Sequence, residues 1–466
     1  MNPQQRRIVL AVCLLVGLSL LVVAGLTFLV TPMAQALELT DDDVSNTLAV
    51  TSVASLAVVF SAAQLGDRIG RRRALIVASS VFSAGSMILV LASGPLIVQL
   101  GLALCAAAAV TIQVLAVGLL QAAVVDGPAH ISAFTTYGMV FPAVFLTVPV
   151  ATAWLLGVAD WHLVPLAWAV AGLVMVTVTM VFVRAEPAKA AHREWLTPLL
   201  AGLSMAAVGH VLSDAGRPRT HDGYITWVVV GGVASGVACY ILVRRRAAAS
   251  FSLRILDPIV LRALLVGVAL ASFCGILTYV SLAFEFLYGM TALEAALAVA
   301  PAQLGGVLGA RLLAERALLR WGGIRAGRML LLMVAVTMLP LVIVQSVTPA
   351  WYLVVVATVF TFTGMAALTA FNAEVMRRAP LTLTSDMSAF RTSASSLGAA
   401  LGVGIFGTLV LSSVSIDSAD GGANSEQLAQ LAGAIRLMGL IASLAALGGW
   451  LALTRVEPSA SAHERV

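Results

Sequence analysis

The sequence is poor in charge. Asp, Glu, Lys and Arg make up 11% of its 466 residues, against roughly 25% in an ordinary soluble protein. A soluble domain with so few charges could not cover its surface, and a disordered chain would lack the long Val, Leu, Ile and Ala runs found here. Lysine is nearly missing: Lys189 is the only one, and every other cation is arginine. Cysteine is scarce too. Cys13, Cys105, Cys239 and Cys274 all lie inside apolar runs, which argues against a disulfide framework and a cysteine-based zinc site. No metal and no cofactor is expected. The sequence also lacks a phosphate-binding loop ending in Lys and Ser or Thr, a His-Glu-x-x-His pair and a Gly-x-Ser-x-Gly turn. Their absence disfavours an ATP-driven pump and a hydrolytic enzyme, and Asp126-Gly127-Pro128-Ala129-His130 has no partner constellation for hydrolysis. With 60% apolar residues, what remains is a polytopic membrane protein.

What is present is a series of long apolar runs. The first, Ile8–Met33, is too long for the core of a signal peptide and long enough to cross, so it is read as an uncleaved first span. Counting onward gives fourteen spans, among them Phe134–Val158, Leu196–Leu212, Ile225–Val243, Leu293–Leu313 and Ser388–Ser412. With both termini in the cytoplasm, the 27 basic residues sort to one side except Arg217, Arg219 and Arg436. The opposite loops carry acids such as Asp41, Asp160 and Glu426. The positive-inside bias therefore supports an even span count. Basic residues set in short clusters between spans do not imply nucleic-acid binding, despite a net charge of +5.

The most informative loop is Ala63-Gln64-Leu65-Gly66-Asp67-Arg68-Ile69-Gly70-Arg71-Arg72-Arg73. Setting topology needs cations but neither Asp67 nor Gly70, a residue that permits a tight turn. The loop resembles the hallmark loop of the major facilitator superfamily, with Ala63 where that family usually has its first glycine. A degenerate second copy runs from Gly309-Ala310-Arg311 through Glu315-Arg316 to Arg320-Trp321-Gly322-Gly323-Ile324-Arg325. Gly289 to Glu294, Asp160-Trp161-His162 and Gly398, Gly402, Gly404 and Gly407 resemble stretches of the fourteen-helix drug:proton antiporters in that superfamily.

The resemblance implies an all-α integral membrane fold of two pseudo-symmetric six-helix bundles with two additional helices between them. The expected divisions are 1–190, 191–250 and 251–466. It also implies a conformational latch: Asp67 facing the N-terminal end of the span near Ser388, where a helix dipole favours an anion, and Arg71 reaching Asp126, with Arg68 and Gly70 in the same loop. The bland reading is a set of solvated loop charges.

Several family signatures are missing. Val23 stands where helix one often has an acid, and Gln99 is the only polar side chain where helix four usually has an arginine. Val148-Pro149 with Thr152 and Ala153 keeps the proline of the helix-five packing motif and loses its glycines; Thr and Ala still permit close packing. Glu285 is then the candidate for proton coupling, since ionisable residues within the membrane are costly and usually functional; a glutamate snorkelling at the interface is the other reading. Phe141, Phe145, Tyr279, Phe284, Gln303 and Asn372 are candidates for a largely apolar cavity, and Glu374 with Arg391 for an ion pair at its inner mouth. Helix packing accounts for such residues equally well.

The expected function is alternating-access export of hydrophobic or amphiphilic small molecules, coupled to protons. The partners are a lipophilic substrate, protons and the bilayer of a bacterial plasma membrane, and the chain is expected to be monomeric. The residues leave open an uncoupled exporter of lipids or natural products, a uniporter and a non-transporting sensor.

Overall fold

The computed structural model describes residues 1–125, 127–184, 195–214, 222–245, 258–380, 383–411 and 425–454, and among these no strand occurs. The helices of the first part are α1 (Pro3–Ala36), α2 (Asp41–Ile69), α3 (Arg71–Val90), α4 (Pro95–Ala123), α5 (Gly127–Val158) and α6 (Leu163–Phe182). Next come α7 (Leu196–Asp214) and α8 (Asp222–Arg245). The second part has α9, in two pieces (Pro258–Ser272 and Cys274–Tyr288), α10 (Leu293–Trp321), α11 (Gly323–Ile343), α12 (Ala350–Arg377), α13 (Thr384–Leu411) and α14 (Ser425–Thr454). Twelve helices among the described residues are long and apolar enough to cross a membrane. With α7 and α13 the fold is compatible with the expected fourteen spans.

Local sequence sets where several helices begin. Thr40 caps α2: its hydroxyl accepts from the Asp43 amide at 3.2 Å, and the Asp43 carboxylate accepts from the Thr40 amide at 3.1 Å. Thr291 and Glu294 form the same reciprocal cap at α10. Each cap satisfies two amides that have no intrahelical partner. Pro95 stands in the first turn of α4, where its missing amide hydrogen costs nothing.

Helix packing repeats itself in the two parts. In the first, α4 packs on α1, α2 and α3, and α6 on α1 and α3. In the second, α12 packs on α9, α10 and α11, and α14 on α9 and α11. The turns between the second and third helices match as well: Gly70 has φ 85° and ψ 141°, and Gly322 has φ 72° and ψ 171°. Both lie in the positive-φ region that glycine tolerates best. The fold is thus two pseudo-symmetric six-helix bundles, with the repeated loops at equivalent corners.

The bundles meet through a symmetric set of pairs, α2 with α13 and α5 with α10, backed by α4 with α13 and α5 with α12. Helix α7 packs on both α2 and α13, and α8 packs on α7. The additional pair therefore lies along one of the two seams.

The helices run past the apolar spans read from the sequence. Helix α5 begins at Gly127 rather than Phe134, α10 continues to Trp321 rather than Leu313, α12 to Arg377 rather than Ala373, and α13 begins at Thr384 rather than Ser388. Every one of these extra turns is polar, and all lie at the end that carries the basic loops.

Candidate functional site

The seam between the bundles is closed by polar contacts at that basic end. Arg71, at the start of α3, is 5% exposed. Its guanidinium donates to the Gly118 carbonyl of α4 at 3.2 Å, and to the hydroxyls of Thr384 at 2.8 Å and Ser385 at 3.4 Å on α13. Ser385 in turn donates to the Asp67 carboxylate at 3.1 Å. Asp67 therefore lies at the N-terminal end of α13, at the positive end of its dipole. Asp126 lies outside the described residues. Arg68 turns away from this cluster, its guanidinium carbon 4.0 Å above the Trp195 ring that precedes α7. Below the loop, Ser388 donates to the Val114 carbonyl at 2.8 Å, and Phe60 meets Phe390 edge-on with ring centroids 5.2 Å apart. Ala63 and Ala389 are both buried in the same small cluster, so alanine still allows α2 and α13 a close approach.

The second seam has its own clasp. A π-helical turn, Gly309–Leu313, carries Arg311 on α10. Arg311 donates to the hydroxyls of Thr135 at 3.1 Å and Thr136 at 3.4 Å on α5, and pairs with Glu315 at 3.3 Å. The close packing here needs small residues. A Cβ on Gly138 would clash with Thr369, and one on Gly306 would lie 2.9 Å from Pro142. Further in, Arg391 on α13 is 5% exposed and donates to the Tyr137 hydroxyl of α5 at 3.2 Å.

The expected Glu374–Arg391 pair is not formed. The Glu374 carboxylate accepts instead from Arg377 at 2.9 Å and Arg378 at 2.8 Å, both on its own side of the bundle. Arg377 and Arg378 are one turn away from Glu374 on a continuous helix, which costs less ordering than reaching Arg391 on α13.

The other named residues are spread along the helices. Thr152 is buried, and a Cβ on Gly25 of α1 would come within 3.3 Å of its hydroxyl and 2.9 Å of Trp168. The turn after Pro149 with Thr152 and half-buried Ala153 thus packs α5 closely against α1 and α6. Phe141 and Phe145 stack at 4.6 Å. Tyr279 and Gln303 are buried, and Asn372 is half-buried. Phe284 is wholly enclosed in the core and packs on Tyr288 at 5.8 Å. Glu285 is half-buried in the last turn of α9, at the negative end of the helix dipole. The structure does not bring Glu285 together with the Asp67–Arg71 loop, which lies at the other end of the bundle.

Two features escaped the sequence reading. One is an accessible stripe on the outer part of α1, formed by Val23, Thr27, Thr31 and Gln35. Its four-residue spacing was legible, but the apolar run around it hid the pattern. The other is the setting of His130, which is 1% exposed. One ring nitrogen lies 3.0 Å from the Val124 carbonyl and the other 3.1 Å from the Ala373 carbonyl on α12.

Comparison with known proteins agrees with this architecture. The chain is 26% identical over 333 residues to the drug efflux pump JefA of Mycobacterium tuberculosis, in strains CDC 1551 / Oshkosh and H37Rv; the match covers 69% of this chain and 64% of that pump. The crystal structure of the human organic anion transporter MFSD10 (TETRAN) superposes with a TM-score of 0.67, over 97% of this chain and 100% of that one. At 14% identity that likeness concerns the fold alone. Residues 12–403 match the family model of the Major Facilitator Superfamily, and the chain, with its many apolar membrane-length helices, therefore belongs to that superfamily.

Proposed function

We propose that the chain exports lipophilic or amphiphilic small molecules by alternating access, in exchange for protons. The observation that carries the reading is the pair of seams tied by Arg71 and Arg311 at the basic end. Two bundles joined at one end by a few polar contacts form a hinge that can rock open there. The bundles are taken as 1–190 and 251–466, with 191–250 between them. The basic end is assigned to the cytoplasm of a bacterial cell, with both termini on that side. Asp67, Gly70, Arg71 and Asp126 then act as the latch of the state closed to the cytoplasm.

The substrate path runs between the bundles along the Val23–Gln35 stripe and the Phe141–Phe145 stack. Such a wall of apolar and hydroxyl side chains suits a lipophilic molecule better than a sugar, which needs paired polar groups. The weak likeness to a named drug efflux pump supports the direction. Glu285 is assigned the coupling proton, because it is half-buried near the end opposite the latch. The test is flux into proteoliposomes under an imposed pH gradient, alongside a drug-susceptibility panel comparing deletion and overexpression strains. Gradient-driven flux with reduced susceptibility on overexpression supports the reading. Flux unchanged by the gradient removes the coupling, and the absence of any flux removes the transport of these compounds.

A further inference from the structure

We infer that Arg391 binds the anionic head of an amphiphilic substrate, a carboxylate carried on an apolar or aromatic body. The inference rests on the transport reading above for the path of the substrate, and it adds the charge that the substrate carries. Its basis is a count of donors. Arg391 is 5% exposed. Arginine keeps its charge when buried and brings five N–H groups that need acceptors. Nη2 donates to the Tyr137 hydroxyl at 3.2 Å and to the neighbouring Thr392 hydroxyl at 3.2 Å. Nε is buried without an acceptor. Among the described residues Nη1 donates to nothing, and no carboxylate pairs with this guanidinium.

The two arginines that tie the seams are matched, and Arg391 is not. Arg71 has a carbonyl and two hydroxyls, and one of those hydroxyls also holds the Asp67 carboxylate. Arg311 has the hydroxyls of Ser132, Thr135 and Thr136 and the carboxylate of Glu315. The acid that charge alone would assign to Arg391 is Glu374, and that carboxylate is already shared by Arg377 and Arg378. A buried charge is costly unless it is paired and hydrogen-bonded. A guanidinium with N–H groups to spare is the planar fork that a carboxylate fits.

The place of the charge gives the rest of the ligand. Arg391 stands about 10 Å in from the start of α13. It reaches the other bundle at Tyr137 on α5, with the guanidinium carbon 5.5 Å from the centre of that ring. Tyr137, Phe141 and Phe145 follow at four-residue spacing on α5 and so share a face. All three are half-buried, and Phe141 and Phe145 stack at 4.6 Å. The charge therefore lies at the basic end of a line of rings between the bundles. A molecule with its carboxylate on Arg391 and its apolar body along Phe141 and Phe145 satisfies both. A neutral molecule of the same shape leaves the guanidinium unmatched, and a cation is repelled by it.

The test is equilibrium binding of tritiated naphthoate to the full chain in lipid nanodiscs, read by scintillation proximity against empty discs. Naphthamide, a neutral molecule of the same shape, and naphthylmethylammonium, a cation, serve as competitors. On the native chain unlabelled naphthoate should compete at least about tenfold better than either, the worth of a charge-assisted hydrogen bond or two. Arg391→Gln should abolish that preference. Arg391→Lys, which keeps the charge without the fork, should reduce it and retain part. Phe141→Ala should weaken naphthoate and naphthamide alike. A native chain that binds no naphthoate, or shows no preference for it, overturns the site. So does a preference that is unchanged in both Arg391 variants, which assigns it to another cation. Binding is read without a gradient or flux. A preference that depends on Arg391 in a chain without flux would count against export alone. Flux of neutral or cationic compounds by a chain with no such preference would count against Arg391 alone.

Discussion

Arg71 and Thr384 lie 313 positions apart in the chain and meet at 2.8 Å across the seam of the two bundles. The contact is made by a buried guanidinium, held from the other side by the Gly118 carbonyl. Its geometry uses the planar fork of arginine, with one nitrogen serving each bundle.

Removing the fork should release the basic end. Arg71→Gln loses charge-assisted hydrogen bonds worth about 1.5–3 kcal/mol. A loss of about 2 kcal/mol shifts the closed–open balance roughly 30-fold. A cysteine placed at Ser388, which is wholly buried, should become correspondingly faster to alkylate. Arg71→Lys should recover part of the effect by keeping charge without the fork. Unchanged alkylation in Arg71→Gln would make the cluster ornamental to gating.

The clasp of the second seam should behave alike. Arg311→Ala removes the bonds to Thr135 and Thr136. The same cysteine should label faster, by about tenfold for a loss of about 1.4 kcal/mol. Thr135→Val with Thr136→Val should reproduce the gain. Labelling equal to the native rate would show that α5 and α10 stay together without Arg311.

Glu285→Gln keeps shape and removes titration. Proton-driven flux in proteoliposomes should stop, while substrate binding, followed by fluorescence or scintillation proximity, stays within about twofold. Full gradient-driven flux in this variant would take coupling away from Glu285.

Glycine packing should be felt as stability. A Cβ on Gly402 would clash with the Ser272 carbonyl where α13 crosses α9, whereas a Cβ on Gly267 meets nothing within 4 Å. Gly402→Ala should cost about 1–3 kcal/mol and lower Tm in detergent. Gly267→Ala should be neutral or raise Tm, since alanine is the better helix former by about 1 kcal/mol. Equal Tm values for the two variants would contradict the tight α9–α13 crossing.

The legibility of the site differs from that of the fold. The loop between α2 and α3 was readable because its acid, glycine and cations are contiguous. Its partners were not, because Thr384 and Ser385 are small hydroxyl residues with no signature of their own. The contacts of His130 were invisible for a sharper reason. Its partners are backbone carbonyls, which every residue has, so no spacing in the chain announces them. The Glu374–Arg391 pairing failed because opposite charges on neighbouring spans say nothing about the nearer competitors on the same helix.

By itself the sequence determined the solvent and the rods: runs of about 20 apolar residues must be helices in a bilayer, because lipid leaves no other partner for backbone groups. It also sorted the basic residues into alternate loops and signalled the doubling of the bundle through the repeated loop. Tertiary structure alone decided where the rods end and what those ends hold. The polar turns at Gly127–Ser132, Thr384–Ser385 and Ala314–Trp321 stay helical where the facing bundle supplies neighbours for one side of them. An apolar count stops at the edge of the hydrocarbon. The hydrogen bonds that hold the two bundles together begin there.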